Sequence, residues 1–504
     1  MNWSSYQEKI FDFVENSNES AVINAKAGSG KSSTIIECAK RLSVNNVSIL
    51  FLAFNKTIAN ELKTKMSAYS GVECKTLHSH GFSAIQSYKR CRLKLDDNKW
   101  YKYLEKNVSI LSDADFKSKF ERISFIKKCI SLFNLCRINL LTSKDSEEDI
   151  LDIAFHHGIM LDKDESLVVK KLLKLAYNID SDNVIDYVDM IVLPCMNEDV
   201  RNCIKKYDTV FVDECQDLSQ AQRILLTNSI KRGGRFISVG DPNQAITGFC
   251  GADCESFDKM KELAGGTEFP LSVCYRCGKN IIETAQSIVP DIQPFEGNCD
   301  GVVSNIKDIS CIKPGDVILS RKSAPTIHLC LKFLSKGIPA KVKGKDMVEG
   351  LVKMVEKSKA DSFTGLYEYL NEEYKKLLAK LEKKGIEDPS QTYQAICFRD
   401  KVDCIKAIGE SCEEFDELIN KFDSIVSDFE SDKYITLSTI HKAKGLEYDR
   451  VFIILPSDLP LTWKNQQDWE YQQEMNLKYV AITRAKKELF FVDMTLEQLI
   501  NSEL

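Results

Sequence analysis

The amino-acid sequence predicts an α/β fold with two cores of parallel strands, each interrupted by a helical insertion. Near both ends of the chain, short apolar runs alternate with helical stretches, which is typical of a parallel sheet covered by helices. Two further segments interrupt these α/β portions. Residues 86–190 have Lys, Leu, Ile and Phe at helical spacing without Gly-rich turns, and residues 351–431 are helical and highly charged. A chain of 504 residues has room for about three or four domains.

The elements of the two cores are predicted from these apolar runs and from the turns that bound them. In the first core we expect helices at 6–14 and 32–41 and strands at 21–24, 48–53, 209–212 and 236–239. The second core begins near Leu271, with strands expected at 317–320, 451–455 and 489–492. We therefore expect a first α/β domain (1–85 plus 191–270), a helical insertion (86–190), a second α/β domain (271–350 plus 432–504) and a short helical insertion (351–431).

Composition excludes several classes of protein. Hydrophobic residues make up 43% and charged residues 28% of the chain, so large-scale disorder is not expected. No stretch approaches about 18 consecutive apolar residues, and the N-terminus lacks the basic and apolar regions of a signal peptide. We therefore expect no membrane partner and a cytoplasmic address, in a host cytoplasm or nucleoid if the gene is phage-borne.

The eighteen cysteines and the net charge also limit the alternatives. The cysteines are scattered, several inside apolar runs, as expected for small core side chains in a reducing compartment. A net charge of −6 excludes a DNA-packaging protein but not a local basic groove. Residues 86–135 contain twelve Lys and Arg against six Asp and Glu, which fits either a basic binding face or a solvated helical surface.

A Gly-rich turn between a strand and a helix, residues 25–32, predicts a phosphate-binding loop. Consecutive backbone N–H groups in such a turn point at a phosphate, and the helix N-terminus adds a favourable dipole. Lys31 supplies a positive charge to the β- and γ-phosphates, and the Ser32 hydroxyl is placed to ligate Mg²⁺. The expected ligands are ATP and Mg²⁺, and the residues assigned to the nucleotide from this loop are Ala27, Gly28, Ser29, Gly30, Lys31, Ser32 and Ser33.

Two further strand ends carry polar side chains suited to nucleotide hydrolysis. The apolar run 210–212 ends in Asp213 and Glu214, and parallel strands present their carboxyl ends to a ligand. We expect Asp213 to hold Mg²⁺ through water and Glu214 to orient and deprotonate the attacking water. Gln244, in the turn that follows the strand at 236–239, is placed to sense a γ-phosphate.

The ordered set of motifs resembles superfamily 1 helicases of the UvrD/Rep type. The segments that carry this resemblance run from Gln7 to Lys487 in the order of that family. They are Gln7, 25–32, Asn55-Lys56, Thr76-Leu77-His78, 213–217, Gly240–Gln244, Tyr275-Arg276, 439–447 and 476–486. The segments 439–447 and 476–486 are the most specific, whereas the helical insertions carry no motif.

The resemblance implies two RecA-like motor domains and assigns roles to residues of both. It implies that Gln7 contacts the adenine edge, Tyr275 stacks on the adenine face and Glu447 bonds the ribose. It further implies that Arg276 and Arg484 reach the γ-phosphate when a cleft between the cores closes, where they stabilise transition-state charge. Hydrolysis would then reopen the cleft and move the two cores along a strand.

Polar and aromatic residues in the same motifs are expected to contact a nucleic-acid strand. Hydroxyl, amide and imidazole groups bond phosphates without reporting base sequence, and aromatic rings stack on bases. For Phe54 a place in the core is the alternative explanation, and Phe249 follows the turn at Gln244. The residues assigned to the strand are Phe54, Asn55, Thr76, His78, Phe249, Thr439 and His441.

The predicted function is therefore an ATP-dependent DNA helicase that moves 3′→5′ on single-stranded DNA and unwinds duplex DNA. The direction comes only from the UvrD-like form of the segments 439–447 and 476–486. The alternatives are a non-unwinding translocase subunit of a repair or nuclease complex, and an RNA helicase. The expected partners are single-stranded and tailed duplex DNA and proteins of replication or repair, with the chain itself a monomer.

The chain departs from the family pattern at several positions near these motifs. Ala25 replaces the first glycine of the phosphate loop, and Ser33 stands where relatives carry an arginine that packs on adenine, which predicts looser base discrimination. Thr247 and Cys250 replace a tyrosine and an arginine after Gln244. Cys250 and Cys254 together with Cys274 and Cys277 have near-zinc spacing, but Tyr275 and Arg276 between the last pair favour a nucleotide role over a metal site.

Overall fold

The computed structural model describes residues 3–112, 116, 119–157, 159, 163–179, 183–246, 255–383, 385–427 and 432–502. The chain divides into two compact units, residues 1–26 with 30–271 and residues 27–29 with 272–504. Each unit contains a six-stranded sheet whose neighbouring strands are all parallel. The predicted α/β fold with two parallel sheets is confirmed.

The sheet of the first unit is formed by strands that alternate with helices along the chain. The strands of this unit are β1 (Ala21–Ala25), β2 (Ile49–Ala53), β3 (Val72–Thr76), β4 (Lys94–Leu95), β5 (Val184–Ile185), β6 (Tyr207–Val212), β7 (Ile230–Gly240) and β8 (Glu268–Leu271). The order across the main sheet is β3-β2-β6-β7-β1-β8, while β4 and β5 form a separate two-stranded ladder. Because β6, β7 and β1 are neighbours, the loops after them meet at one edge of the sheet.

Helices cover both faces of this sheet. The helices of this unit, including α5 to α8 of the helical insertion, are α1 (Ser5–Asn16), α2 (Lys31–Ser43), α3 (Lys56–Lys65), α4 (Leu77–Lys89), α5 (Lys99–Leu111), α6 (Lys119–Ile138), α7 (Glu147–His156), α8 (Lys163–Ala176), α9 (Tyr187–Met196), α10 (Glu198–Asn202), α11 (Gln220–Asn228) and α12 (Ser256–Leu263). In β2, Ile49 and Phe51 pack with α1, α2 and α3, whereas Leu50 and Leu52 pack with α4, α9 and α11. Burial on both faces explains why the central strands are uniformly apolar.

The helical insertion of this unit has its own core. Buried residues of α5, α6, α7 and α8, among them Leu104, Phe133, Ile150 and Leu172, form one apolar cluster. The two-residue strands β4 and β5 pair at the base of this insertion, and two residues are too short for a periodic sequence signal. The insertion is helical, as predicted, with this one short ladder added.

The second unit repeats the architecture of a parallel sheet with helices. Its strands are β9 (Val273–Cys274), β10 (Gln293–Pro294), β11 (Val302–Ile306), β12 (Val317–Ser320), β13 (Ala340–Val342), β14 (Ile435–Thr439), β15 (Tyr448–Ile454) and β16 (Ala485–Val492). Its helices are α13 (Lys279–Gln286), α14 (Ala324–Ser335), α15 (Lys345–Ser358), α16 (Phe363–Glu382), α17 (Tyr393–Gly409), α18 (Glu417–Ile425), α19 (Asp468–Ile482) and α20 (Leu496–Asn501). The strand order in the main sheet is β11-β16-β15-β12-β14-β13, and α15 to α18 lie between β13 and β14 in the chain.

The observed strand β7 is longer than the sequence predicts. It begins at Ile230 instead of Phe236, because Ile230 pairs with Tyr207 across an irregular step before the regular ladder starts at Arg235. Lys231, Arg232 and Gly233 in this stretch are exposed, so it carries no apolar signal. The four domain boundaries given above stay a proposal.

Candidate active site

Three polar loops meet at the carboxyl edge of the first sheet. The loop after β1 leads to Lys31, the loop after β6 begins with Asp213, and the loop after β7 begins with Asp241. These three strands are adjacent in the sheet. The topology therefore brings together residues that are about 180 to 210 positions apart in the sequence.

The start of α2 has the features of an anion site. Gly30, with φ +83°, precedes the helix, and no side chain caps the first amides of α2. The Ser29 hydroxyl is buried and has no hydrogen-bond partner among the described residues. Uncapped helix amides, an unsatisfied hydroxyl and the adjacent Lys31 fit a phosphate group. The phosphate loop predicted at 25–32 therefore has a suitable backbone.

Lys31 lies among three carboxylates. Its Nζ is 3.2 Å from Glu214 Oε2. Burial would lower the pKa of Lys31, but Glu214, Asp241 and Asp213 outweigh that effect and raise it above the ordinary value. Lys31 is therefore a permanent cation, and the three acids around it leave a surplus of negative charge that a divalent cation would balance.

The Mg²⁺ ligands predicted from the sequence lie side by side. Ser32 Oγ donates a hydrogen bond to Asp213 Oδ2 at 3.3 Å. Burial and the neighbouring Glu214 raise the pKa of Asp213. Among the residues the structure describes, no three His, Cys, Asp or Glu form a ready metal site. Ser32 and Asp213 thus fit a magnesium ion that keeps waters and phosphate oxygens as its other ligands.

A hydrogen-bond network of two glutamines joins the acids of this site. Gln216 Nε2 donates to Glu214 Oε2 at 2.6 Å, and Gln216 Oε1 accepts from the Asp241 amide at 3.1 Å. Gln244 Nε2 donates to Asp241 Oδ2 at 2.7 Å. Gln216 and Asp241 received no role from the sequence, although both lie inside motifs that carry the resemblance. Gln216 therefore links the loop of Glu214 to the loop of Gln244.

Gln7 lies next to the start of α2. Its side chain is buried and donates from Nε2 to Thr34 Oγ1 at 3.0 Å, while its Oε1 accepts from the Ser4 amide at 3.0 Å. A Cβ added to Gly30 would lie 3.6 Å from Gln7 Nε2. Gln7 is thus held beside the phosphate loop by Thr34, a residue for which the sequence predicted no role. Ser33 on the same helix is exposed.

Within the second unit, the predicted nucleotide residues lie next to two strands. Tyr275 and Arg276 directly follow β9, and Glu447 directly precedes β15. Tyr275 is half-exposed and packs against Phe295, with ring centroids 5.0 Å apart. Arg276 forms an ion pair with Glu447. Residues 27–29 group with this unit, and the Tyr275 amide donates to the Gly28 carbonyl at 2.9 Å.

Arg484 is fully buried at the end of α19. Its Nε donates to the Val480 carbonyl at 2.9 Å and one terminal nitrogen donates to the Leu446 carbonyl at 2.8 Å. The other terminal nitrogen bonds Thr483 Oγ1 at 3.2 Å. These contacts bring the motif that contains Arg484 next to the segment 439–447. Its action on a γ-phosphate stays a prediction.

In the first unit, the residues that are predicted to contact a nucleic-acid strand also have local structural roles. Phe54 is 47% exposed, which argues against the alternative that it belongs to the core. Asn55 Oδ1 accepts from the Ile58 amide and caps α3, and Thr76 Oγ1 accepts from the Ser79 amide and caps α4. His78 packs edge-on against Tyr187 with centroids 6.1 Å apart. Their contact with a nucleic-acid strand stays a prediction.

The other residues that are predicted to contact a nucleic-acid strand lie in the second unit or outside the described residues. Thr439 ends β14, and burial lowers the pKa of the nearby His441 to about 3, so its imidazole is neutral at physiological pH. Phe249, Cys250 and Cys254 lie outside the residues that the structure describes. Their predicted roles are therefore not tested.

Cys274 and Cys277 are both buried and lie in contact through their thiols. Their hydrogen bond is the main cause of a lowered Cys274 pKa, and Cys277 Sγ also contacts the Thr483 carbonyl at 3.7 Å. The other two cysteines of the near-zinc pattern, Cys250 and Cys254, lie outside the described residues, so this pattern is not tested. Within the described parts of the chain, none of the helices is long and apolar enough to span a bilayer.

Comparison with known proteins shows which family these motifs belong to. Residues 6–264, just over half of the chain, match the UvrD/REP helicase N-terminal domain, and residues 434–492 match the UvrD-like helicase C-terminal domain. The chain is 25% identical to F-box DNA helicase 1 of Gallus gallus, over 98% of this chain and 49% of the relative. It therefore spans about half the length of that relative.

Bacterial relatives are covered more completely. A protein named "Probable DNA helicase II homolog" from Mycoplasma genitalium is 23% identical over 93% of this chain and 82% of its own length. ATP-dependent DNA helicase PcrA of Staphylococcus epidermidis is 22% identical over 95% of this chain and 82% of its own length. With its two parallel sheets, its phosphate loop and both matched domains, the chain belongs to the UvrD/REP helicase family.

Proposed function

We propose that the chain is an ATP-dependent DNA helicase that moves 3′→5′ along single-stranded DNA and separates the strands of a duplex. The observation that carries this proposal is the cluster of Lys31, Ser32, Asp213, Glu214 and Asp241 at the edge of the first sheet. Membership of the helicase family supports the enzyme class. The direction of movement rests on the UvrD-like form of residues 439–447 and 476–486.

Four residues of the cluster, Lys31, Ser32, Asp213 and Glu214, have a proposed task. The α2 amides and Lys31 bind the phosphates, and Ser32 with Asp213 hold Mg²⁺, which when bound neutralises phosphate charge and orients the triphosphate. Glu214 orients a water and accepts its proton. The Gln216 and Gln244 side chains hold the acids in place through the bonds described above.

The remaining assignments rest on the resemblance alone. We propose that Arg276 and Arg484 act on the γ-phosphate, that Tyr275 stacks on adenine and that Glu447 bonds the ribose. We propose that Phe54, Asn55, Thr76, His78, Thr439 and His441 contact the strand. We further propose that the protein acts as a monomer in the cytoplasm with replication or repair partners.

A strand-displacement assay tests motor, substrate and direction together. We expect the protein with ATP and Mg²⁺ to separate a fluorophore-labelled duplex that carries a 3′ single-stranded DNA tail. The duplex with a 5′ tail of equal length stays intact, because a motor of this polarity loads on the 5′-tailed strand facing away from the junction. The measurement is fluorescence dequenching under single-turnover conditions, with Glu214→Gln as the inactive control.

Other outcomes separate the alternatives. Unwinding only from the 5′ tail would overturn the proposed direction. ATP hydrolysis stimulated by single strands without any unwinding would favour a translocase subunit that needs a partner. Stronger stimulation by RNA than by DNA of the same sequence would favour an RNA helicase.

A further inference from the structure

The phosphate loop at 25–32 contains a second lysine, Lys26, for which the sequence predicted no role. Lys26 directly follows β1, and its amide donates to the Leu271 carbonyl at 2.9 Å, so its backbone is fixed beside the end of β8. Only 4% of its surface is exposed. Burying an ammonium group is unfavourable unless the charge is paired and hydrogen-bonded. The contacts of this ammonium group therefore explain why a lysine is held here.

The Lys26 ammonium group faces the loop that follows β7. Its Nζ donates to Asn243 Oδ1 at 3.1 Å. Its charge also acts on Asp241 in the same loop. Burial raises the pKa of Asp241, and the positive charges of Lys31 and Lys26 oppose that rise. Lys26 therefore joins the loop after β1 to the loop after β7 by a hydrogen bond and by its charge.

The loop after β7 is a tight turn that the Asp241 carboxylate organises. Asp241 Oδ1 accepts from the Asn243 amide at 3.1 Å, and Oδ2 accepts from Gln244 Nε2 at 2.7 Å. The first of these bonds caps the short helical turn Pro242–Gln244. Because Lys26 binds one residue of this turn and balances the charge of another, loss of its ammonium group would release the turn. The place of the Gln244 side chain would then change.

We propose that Lys26 is a positioning residue for ATP hydrolysis, which holds Gln244 where it senses the γ-phosphate. Lys26 acts through its contacts with Asn243 and Asp241. The two lysines of the loop thus have different tasks, since Lys31 binds the phosphates and Lys26 orders the turn that surveys them. This inference rests on the proposed nucleotide site, and it gives a role to a loop position that the family resemblance leaves without one.

The test separates the turnover number from the affinity for nucleotide in the full chain. Lys26→Met keeps most of the length of the side chain but removes the ammonium group. We expect its DNA-stimulated kcat to fall roughly tenfold, because a displaced Gln244 no longer completes the site. The KM for ATP and the affinity for fluorescent N-methylanthraniloyl-ADP should stay within about threefold of the wild type, since the α2 amides and Lys31 still bind the phosphates.

A double-mutant cycle with Gln244→Ala shows whether Lys26 acts through this glutamine. If it does, adding Lys26→Met to Gln244→Ala lowers kcat by less than about a further twofold, because the positioned group is already absent. Two independent effects would instead multiply. Asn243→Leu removes the acceptor of the Lys26 ammonium group and should reproduce most of the loss of kcat. It is the second route if Lys26→Met fails to fold, as judged by circular dichroism.

Lys231→Met is the matched control, because it makes the same substitution near the opposite end of β7. The exposed Lys231 donates from Nζ to Ser48 Oγ at 3.0 Å and pairs with Asp208 at 2.9 Å. This lysine also joins neighbouring strands of the first sheet, but at the edge away from the phosphate loop. The Lys231→Met variant should keep the kcat and the KM of the wild type.

The outcomes separate this inference from the proposed function. A wild-type kcat in folded Lys26→Met or in Asn243→Leu, or a multiplied loss in the double variant, would overturn the role of Lys26 alone. A loss of ADP binding as large as that of Lys31→Ala would place Lys26 on the phosphates and would also overturn it. A wild type that hydrolyses no ATP with DNA present would overturn the proposed function and the inference with it.

Discussion

Replacing Glu214 by Gln is expected to lower DNA-stimulated ATP hydrolysis about 10²- to 10⁴-fold while nucleotide binding is retained. The Glu214 carboxylate lies 3.2 Å from Lys31 Nζ and 2.6 Å from Gln216 Nε2, so it is held at the edge of the phosphate loop. A Gln side chain has the same size and can still accept from Lys31, but it cannot take a proton from water. The chemical step is therefore lost, whereas the charge that holds the phosphates stays.

The measurement is a steady-state ATPase assay with saturating single-stranded DNA, together with binding of a fluorescent ADP analogue. Glu61→Gln is the matched control, because the exposed Glu61 pairs with Lys65 on the surface of α3. The Glu61→Gln variant should hydrolyse ATP at the wild-type rate. Lys31→Ala is the comparison variant and should lose both hydrolysis and binding, since three carboxylates would then face the phosphates without a cation. Activity of Glu214→Gln within fivefold of the wild type would refute the assignment.

The sequence was sufficient to predict strands that are buried on both faces. Strands β1, β2, β6 and β12 are short apolar runs, because their side chains pack with helices on either side of a sheet. The edge strand β3 has the alternating sequence Val-Glu-Cys-Lys-Thr and is only half-buried along its length, and it was not predicted. Its place in the sheet depends on pairing with β2, which is a non-local interaction.

The candidate site likewise contains residues that the sequence predicted and residues that it did not. Lys31, Ser32, Asp213 and Glu214 were predicted because backbone turns and charged side chains at strand ends leave a local signature. The link between Thr34 and Gln7 spans 27 residues and joins ordinary polar side chains whose relation appears only in three dimensions. Local capping signatures, by contrast, were present in the sequence.

One such signature accounts for a residue with two proposed roles. Thr76 is followed three positions later by Ser79, and the two side chains cap α4 reciprocally. The pattern of a small polar residue before an apolar helix could have predicted this cap. A substitution of Thr76 will therefore affect α4 as well as any strand contact, and its DNA-binding effect needs a stability measurement beside it.

Arg137→Met is expected to destabilise the first unit by about 3–5 kcal/mol, because it removes the buried cation that Asp186 and Asp189 share. The Arg137 guanidinium is fully buried and donates to Asp189 Oδ1 and Asp186 Oδ2, each at 2.7 Å. Lys99 also pairs with Asp189. The network connects α6 of the helical insertion to the start of α9, which packs against one face of the sheet. An exposed pair gives the contrast: Lys102→Met, which removes the partner of Asp96, should leave the free energy of unfolding nearly unchanged.

The pH dependence of this loss gives the prediction a second, independent check. Burial already raises the pKa of Asp189 although Arg137 opposes the shift. Without Arg137 the pKa rises further above the unfolded value, so the native variant takes up a proton at low pH and its stability falls as pH rises. We therefore expect a smaller loss at pH 5 than at pH 8.

Urea denaturation followed by Trp100 fluorescence measures this loss directly. The Trp100 ring lies 5.8 Å from the Arg137 guanidinium, and the other three tryptophans, Trp3, Trp463 and Trp469, can be replaced by Phe to isolate its signal. Adding Asp186→Asn and Asp189→Asn to Arg137→Met removes the unpaired charges but keeps oxygen acceptors for the α9 cap, so part of the stability should return. A loss below 1 kcal/mol in Arg137→Met, or no recovery in the triple variant, would mean that apolar packing around Arg137 and not its charge holds α6 to α9.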